Sequence, residues 1–426
     1  MGLWFMNMIN IQQPEFGRRL KRLRAERGLS QRDVAVGVVN PSYISLLESG
    51  SRVPTLEVAL HIARALDVPL NALVEGTAAP IGGLSGSADG RLVRDLLARN
   101  AYEFGDLAEA QARFTEAYQT ARGEGSPLAV LTYGLALQDI LVLRSDDAAR
   151  DALLVDLAIA AEQLGTPELI VRIRIDRAAA ARDVGRLSEA LELAEQAAEA
   201  IGRTDLADTS EHVRTLGVLV SIRCDCGDPG EVPRLIDQML RVATALDSAP
   251  VTGRAHWVAS VAYSRIGRPE LAERHVREAR EMLATPATSV HEWAKFSRAA
   301  ASALLESGAN PEEVVQYLNG ARAASTIIDA PADAAYLASL ETRYALATGD
   351  AERAVRLSDF VEHDPGELTV SELARLRLAR GRALHLLGRT DEAAEQLRVA
   401  ATLCDDLEAY RLAAQIWREL AELRPH

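Results

Sequence analysis

A short turn recurs along most of this chain at close to forty residues. Gly105, Ser145, Gly185, Gly227, Gly267, Gly308, Gly349 and Gly388 mark it, at spacings of 40, 40, 42, 40, 41, 41 and 39 residues. Between them falls a second set of breaks: Ser126-Pro127, Thr166-Pro167, Ala249-Pro250, Thr285-Pro286, Ala330-Pro331 and Asp364-Pro365. Glycine ends a helix at little steric cost, and proline cannot continue one. Each period therefore reads as helix A, a tight turn, helix B and a break. One such hairpin cannot bury its own apolar face, so the units must stack into an all-α solenoid. About eight helical hairpins and a closing helix, Leu407 to Leu423, are expected over residues 91–426.

Small residues keep fixed places around these turns. Five positions past the turn stand Ala110, Ala190, Ala272, Ala354 and Ala393, and twelve past it Ala117, Ala197, Ala279 and Ala400. Seven before it come Ala98, Ala178, Ser260, Ala301, Thr342 and Gly381. Helices approach closely only where side chains are small, so these columns mark helix contacts. The pattern resembles the tetratricopeptide repeat, though with a period near 40 residues in place of about 34. A HEAT-like array is the alternative architecture. The units at Ser145, Gly227 and Gly308 match the columns poorly.

A different pattern precedes the repeats. Leu29 to Pro54, LSQRDVAVGVVNPSYISLLESGSRVP, reads as two short helices and a tight turn. Ser30 can cap the first, and Asn40-Pro41 opens the second with a cap and a first-turn proline. Val34, Val39, Ile44 and Leu47 are spaced to face a core; Ser42, Tyr43, Ser45 and Leu46 are left outside. Upstream, Glu15 to Arg27 is an amphipathic helix with Phe16, Leu20 and Leu23 inward. It holds six basic residues against two acidic ones. After Pro54, Thr55 caps LEVALHIARAL, and NALVEG closes a five-helix domain over 15–76.

The LSQ, PSYISLLESG and LEVALHIARALDVPLNAL runs resemble the Cro/Xre-type repressor family. The resemblance implies a lambda-repressor-like DNA-binding domain whose second helix of the motif enters the major groove of double-stranded DNA. It places Pro41, Ser42, Ser45 and Leu46 toward bases and Tyr43 on the backbone or a base edge, with the capping Asn40 also in the DNA-binding set. Arg18, Arg19, Arg22, Ser30, Gln31, Ser49 and Arg52 would hold phosphates. It also implies that Arg24 pairs with Glu48, tying the first helix to the recognition helix. Serine and leucine read bases weakly, so modest specificity per head and a homodimer on half-sites about 34 Å apart are expected.

Charge is divided between these parts. Residues 1–76 carry nine Lys+Arg and seven Asp+Glu, a net of +2, within a chain of net charge −14. The rest is therefore at −16, as suits a polyanion-binding head on a body that stays off DNA. Residues 77–90, TAAPIGGLSGSADG, form a Gly-rich linker. Residues 1–14 read as a flexible N-terminus, too short for a bilayer and without a cleavage signal. With no membrane span, the cytoplasm is expected. Three cysteines, Cys224, Cys226 and Cys404, form neither a disulfide framework nor a metal spacing and read as buried thiols.

On a solenoid, equivalent positions stack. The column thirteen residues before each turn runs Leu92, Thr132, Arg172, Arg214, Arg254, Lys295, Tyr336, Arg375. The column six before adds Arg99, Arg343 and Arg382, and Trp257 and Tyr336 offer apolar contact. Either these cations face a groove for a peptide, a small anionic ligand or an acidic protein segment, or they pair with carboxylates of neighbouring repeats. Peptide-sensing quorum regulators join such a head to such repeats and clamp peptides with Asn, yet past the linker only Asn100, Asn310 and Asn319 occur. Catalysis has little support and is a distant third reading: His291-Glu292-Trp293-Ala294 is followed by Lys295, not a second zinc-binding histidine, and the eight His are scattered. No cofactor, metal or enzyme activity is expected. The sequence thus reads as a ligand-sensing transcription regulator; the alternative is a repeat-based adaptor with a secondary DNA-binding head.

Overall fold

The computed structural model describes residues 15–35, 41–49, 52, 56–66, 68, 97–102, 106–144, 146–286, 288–328, 332–363, 368–407 and 409–423. Among the described residues all regular structure is helical. Two compact units divide the chain, 1–117 and 118–426. Val39, Asn40, the fifth helix of the head and the linker lie outside the described residues.

In the first unit, α1 (Glu15–Glu26), α2 (Gln31–Ala35), α3 (Pro41–Glu48) and α4 (Leu56–Ala65) enclose one core. Phe16, Leu20 and Leu23 of α1 meet Val34, Ile44, Leu47 and Ile62 there. Most of these side chains are fully shielded, each contributing about 1.5–3 kcal/mol of apolar burial. The α1 stripe of Phe16, Leu20 and Leu23 is the one its spacing dictates. A helix of five residues such as α2 gains little from its own hydrogen bonds, so this shared core holds it.

The repeats begin beside α5 (Leu107–Gly123). Their A helices are α6 (Pro127–Leu143), α8 (Pro167–Asp183), α10 (Ser210–Asp225), α12 (Ala249–Arg265), α14 (Val290–Ser307), α16 (Ala332–Ala347) and α18 (Val370–Leu386). The B helices are α7 (Asp147–Leu164), α9 (Leu187–Ile201), α11 (Val232–Ala245), α13 (Pro269–Leu283), α15 (Pro311–Ile328), α17 (Ala351–His363) and α19 (Thr390–Asp406). The closing helix is α20 (Tyr410–Glu422). From α8 to α18, each A helix packs on its B partner and on the next A helix, which is what stacks one hairpin on another.

Left-handed glycines make the turns, as at Gly185, where φ is 86° and the next amide, Arg186, donates to the Ala181 carbonyl at 2.8 Å. The small-residue columns are buried: Ala190, Ala272, Ala354 and Ala393 have no exposed surface, nor have Ala178, Ser260, Ala301 and Thr342. One poorly matching unit has a physical reason. Arg150 occupies the place of the column alanine after Ser145, and its buried guanidinium meets Asp183 at 2.9 Å.

Candidate DNA-binding face and repeat groove

A cavity of 590 Å3 opens among the C-terminal halves of the A helices and the α19–α20 connection. Six arginines line it, Arg182, Arg265, Arg343, Arg375, Arg382 and Arg411, against two carboxylates, Asp225 and Glu306. Glu306 sits among them. Arg375 Nε reaches its Oε1 at 3.2 Å and Arg343 NH2 the same oxygen at 3.3 Å, while Ser264 Oγ donates to Oε2 at 3.2 Å. Burial raises the pKa of Glu306, but Arg375 and Arg343 outweigh it and hold the group below the usual carboxylate range. Arg265 pairs with Asp225, and Arg382 clasps both oxygens of Glu419 at 2.9 and 2.6 Å. Arg375 also meets Glu372 at 3.0 Å and Arg182 meets Asp183 at 2.7 Å, so these guanidiniums are held in place by carboxylates in and around the cavity, with donors of the kind that suit carboxylate or phosphate oxygens.

Of the sequence candidates, Arg343, Arg375 and Arg382 line this cavity; Arg172, Arg214, Arg254, Trp257, Lys295 and Tyr336 do not. Arg172 meets Asp176 at 2.9 Å and Glu211 at 2.8 Å, and Arg214 also pairs with Asp176. Arg254 holds Glu292 through Nε at 2.5 Å and NH2 at 3.0 Å. Trp257 packs edge-on against Phe296, and Tyr336 lies under the Arg298 guanidinium at 5.1 Å. Lys295 makes no ion pair among the described residues; burial, with Arg298 beside it, lowers its pKa. Cys224 and Cys404 border the cavity as thiols, pushed by burial up to about 12 and about 11.

In the head, Ser30 and Asp33 cap α2 reciprocally. The Asp33 amide donates to Ser30 Oγ at 3.2 Å and the Ser30 amide to Asp33 Oδ2 at 2.6 Å. Glu48, at the end of α3, accepts from Arg24 Nε at 2.5 Å and from Gln31 Nε2 at 2.7 Å. Three helices thus meet on one carboxylate. Ile44 and Leu47 turn inward, which leaves Ser42, Ser45 and Leu46 exposed, Leu46 by 42%. Pro41 and Tyr43 are half-buried at the rim, with the Arg52 guanidinium 5.7 Å from the Tyr43 ring centre. Ser49 Oγ donates to the Leu46 carbonyl at 3.0 Å. Arg18 and Arg22 are exposed and Arg19 half-buried on α1.

The family described as "Helix-turn-helix domain" matches residues 15–75. Residues 15–75 are a helix-turn-helix domain. No curated protein matches the chain. Among solved structures, a Rap protein complexed with competence and sporulation factor is similar at 11% identity, covering 96% of this chain and 99% of that one, with TM-score 0.59. The apo form of RapI shares 9% identity over 92% of this chain and 98% of its own, with TM-score 0.52. The apo quorum sensor NprR from B. thuringiensis shares 12% identity over 91% and 97%, with TM-score 0.50. At such identities the likeness is one of fold, a tetratricopeptide-like helical solenoid.

Sequence reasoning missed several groups that the fold brings together. Arg182, Arg265, Asp225 and Glu306 reach the cavity from two or three residues before their turns, a column whose alternation of sign is visible in the sequence. Arg411 comes from the chain's far end, and no periodicity could find it. His256 and His275, which looked scattered along the chain, face each other across one hairpin. No described helix is long and apolar enough to cross a membrane.

Proposed function

We propose that this chain is a sequence-specific transcription regulator. Its helix-turn-helix domain binds duplex DNA through α3, and its repeats bind a peptide or other anionic ligand in the arginine-lined cavity. The observation that carries the first half is α3 itself. Its apolar side is fixed in the core, and its opposite face, Ser42, Ser45 and Leu46, stands exposed beside the basic α1. Such a helix presents its first turns to base edges while arginines hold phosphates. The arginines gathered around Glu306 support the second half, as does the fold shared with a Rap protein whose complex contains competence and sporulation factor.

The cavity ligand acts by competition. An incoming carboxylate takes donors that Arg343 and Arg375 now give to Glu306, and so loosens a contact between neighbouring A helices. Homodimerisation through the body would place two heads on a palindromic site, with spacing altered by the curvature of the repeats. Mapping of bound sites across a genome tests the reading. A two-fold symmetric site, and loss of binding in Ser42→Glu, are expected. Binding that ignores sequence, or that survives Ser42→Glu unchanged, sinks it and favours the adaptor.

A further inference from the structure

One cluster in the repeats serves neither the DNA-binding face nor the cavity. His256 stands on α12, and His275 and Glu278 on α13, the two helices of a single hairpin. Nδ1 of His256 lies 2.8 Å from Nδ1 of His275 and 2.9 Å from Oε2 of Glu278. Nδ1 of His275 lies 3.0 Å from that same oxygen. Three ligating atoms thus form a closed triangle. The helical i,i+3 spacing puts His275 and Glu278 on one face, and His256 meets them from the facing helix. Both rings are held: Tyr263 stacks on His275 at 5.4 Å with 6° between the planes, and the imidazoles themselves lie 5.0 Å apart.

With the carboxylate ionised, no placement of protons makes all three contacts of this triangle favourable. A neutral imidazole has one N–H, and a carboxylate only accepts. With a proton on both Nδ1 atoms, two N–H groups confront each other at 2.8 Å. With a proton on one, the other nitrogen's lone pair faces the lone pairs of Oε2. With none, three lone pairs converge. Oε2 of Glu278 is shielded from solvent and receives no well-aligned hydrogen bond. A single cation at the centre makes all three contacts favourable.

We infer that His256, His275 and Glu278 bind one divalent transition-metal ion of the zinc class, through the two Nδ1 atoms and Oε2. Two imidazoles and a carboxylate are a donor set that zinc accepts. Ligand atoms 2.0–2.1 Å from a tetrahedral ion stand about 3.3 Å apart, so the triangle has to open by only about 0.3–0.5 Å. Glu278 is 30% exposed as a side chain although its Oε2 is shielded, so the ligating atoms lie just beneath the surface of the hairpin. Its other oxygen accepts from Arg274 Nε at 3.0 Å, which fixes the carboxylate from outside. The ion ties helix A to helix B in the hairpin whose α12 carries Ser264 and Arg265 into the cavity. Metal occupancy thereby stiffens one wall of the ligand site.

The test is titration of zinc chloride into the purified, untagged, metal-stripped full-length chain, followed by calorimetry. One ion per chain is expected, with affinity reduced at least about 100-fold in His256→Gln and in His275→Gln. No stoichiometric binding, or equal affinity in both variants, overturns the assignment. X-ray absorption at the zinc edge of the wild-type chain decides the matter even if a variant fails to fold. Two imidazole shells are expected, and a zinc environment without imidazole overturns the site.

Discussion

The guanidinium of Arg24 grips both oxygens of Glu48, with Nε 2.5 Å from Oε1 and NH2 3.1 Å from Oε2. Their side chains are 17% and 6% exposed, and a third Arg24 nitrogen donates to the Leu29 carbonyl at 2.9 Å. One residue of α1 thereby fixes both the end of α3 and the entry to α2. Truncating one partner leaves the other charge without its counter-ion, a loss that reaches about 3 kcal/mol for buried pairs. Glu48→Ala is expected to lower the unfolding free energy of the head by that order, read by chemical denaturation. Duplex affinity should fall with it, since α3 loses its anchor. Lys in place of Arg24 recovers only part, because an ammonium cannot match both oxygens.

The exposed side of α3 separates binding from folding. Ser42 is solvent-facing and two residues from the buried Ile44, so a carboxylate there leaves the core intact. Ser42→Glu should unfold at the wild-type denaturant concentration yet lose duplex binding, by electrophoretic shift or anisotropy at low salt. Arg22→Ala should act differently. Removing the phosphate contact proposed for it should weaken binding about equally on every sequence, and reduce the slope of log affinity against log salt by about 1. A specific loss on one operator alone would show that Arg22 reads a base.

How much of this was legible in the sequence differs between the two units. The α3 core positions follow from spacing alone, since Ile44 and Leu47 can only share one face. The hairpins followed from the turn glycines for the same local reason. The ion pairs of the repeats are less local. Arg172–Glu211, Arg254–Glu292 and Arg382–Glu419 join residues 39, 38 and 37 apart, one period of the array. A column of cations therefore says little until the neighbouring column of anions is read beside it. Glu211, Glu292 and Glu372 all stand sixteen residues before a turn, three before the Arg or Lys column, and that signal was there to see. The cavity was not legible, because Arg411 and the α19–α20 connection reach it only once the array has curled.

Two aspartates near Arg172 and Arg214 give the repeats a defined pH response. Burial raises Asp139 to about 6, whereas Asp176, which burial alone would also raise, is brought down to about 2 by Arg214 and Arg172. The signs are opposite. Asp139 binds more protons folded than unfolded, so its contribution is favourable below about 4 and is lost as pH rises through about 6. Asp176 stabilises above its unfolded value near 3.8 and loses that as pH falls toward about 2. Thermal unfolding across pH should show Asp139→Asn gaining stability over wild type at pH 8, with the gain shrinking toward pH 4. Asp176→Asn should be destabilised most at neutral pH, where it leaves Arg214 and Arg172 with only Glu211 between them.

Gly381 tests the close approach on which the repeat period depends. It lies within α18, and a Cβ there would stand 2.9 Å from Leu397 Cδ2, 3.0 Å from Leu397 Cγ and 3.3 Å from the Ala393 carbonyl oxygen. The first contact could be relieved by a rotamer change at Leu397. The carbonyl belongs to the backbone of α19, which cannot move without separating the helices. Ala393 and Leu397 are themselves buried, so that separation opens apolar surface on both sides. Overfilling a packed site costs about 1–3 kcal/mol, and a branched side chain lies at the upper end. Gly381→Val should therefore lower the melting temperature of the repeats and expose the α18–α19 amides to hydrogen exchange, while exchange in α1–α4 stays at wild-type rates. Unchanged protection in α18 and α19 would mean the hairpin has slack that its small-residue columns do not suggest.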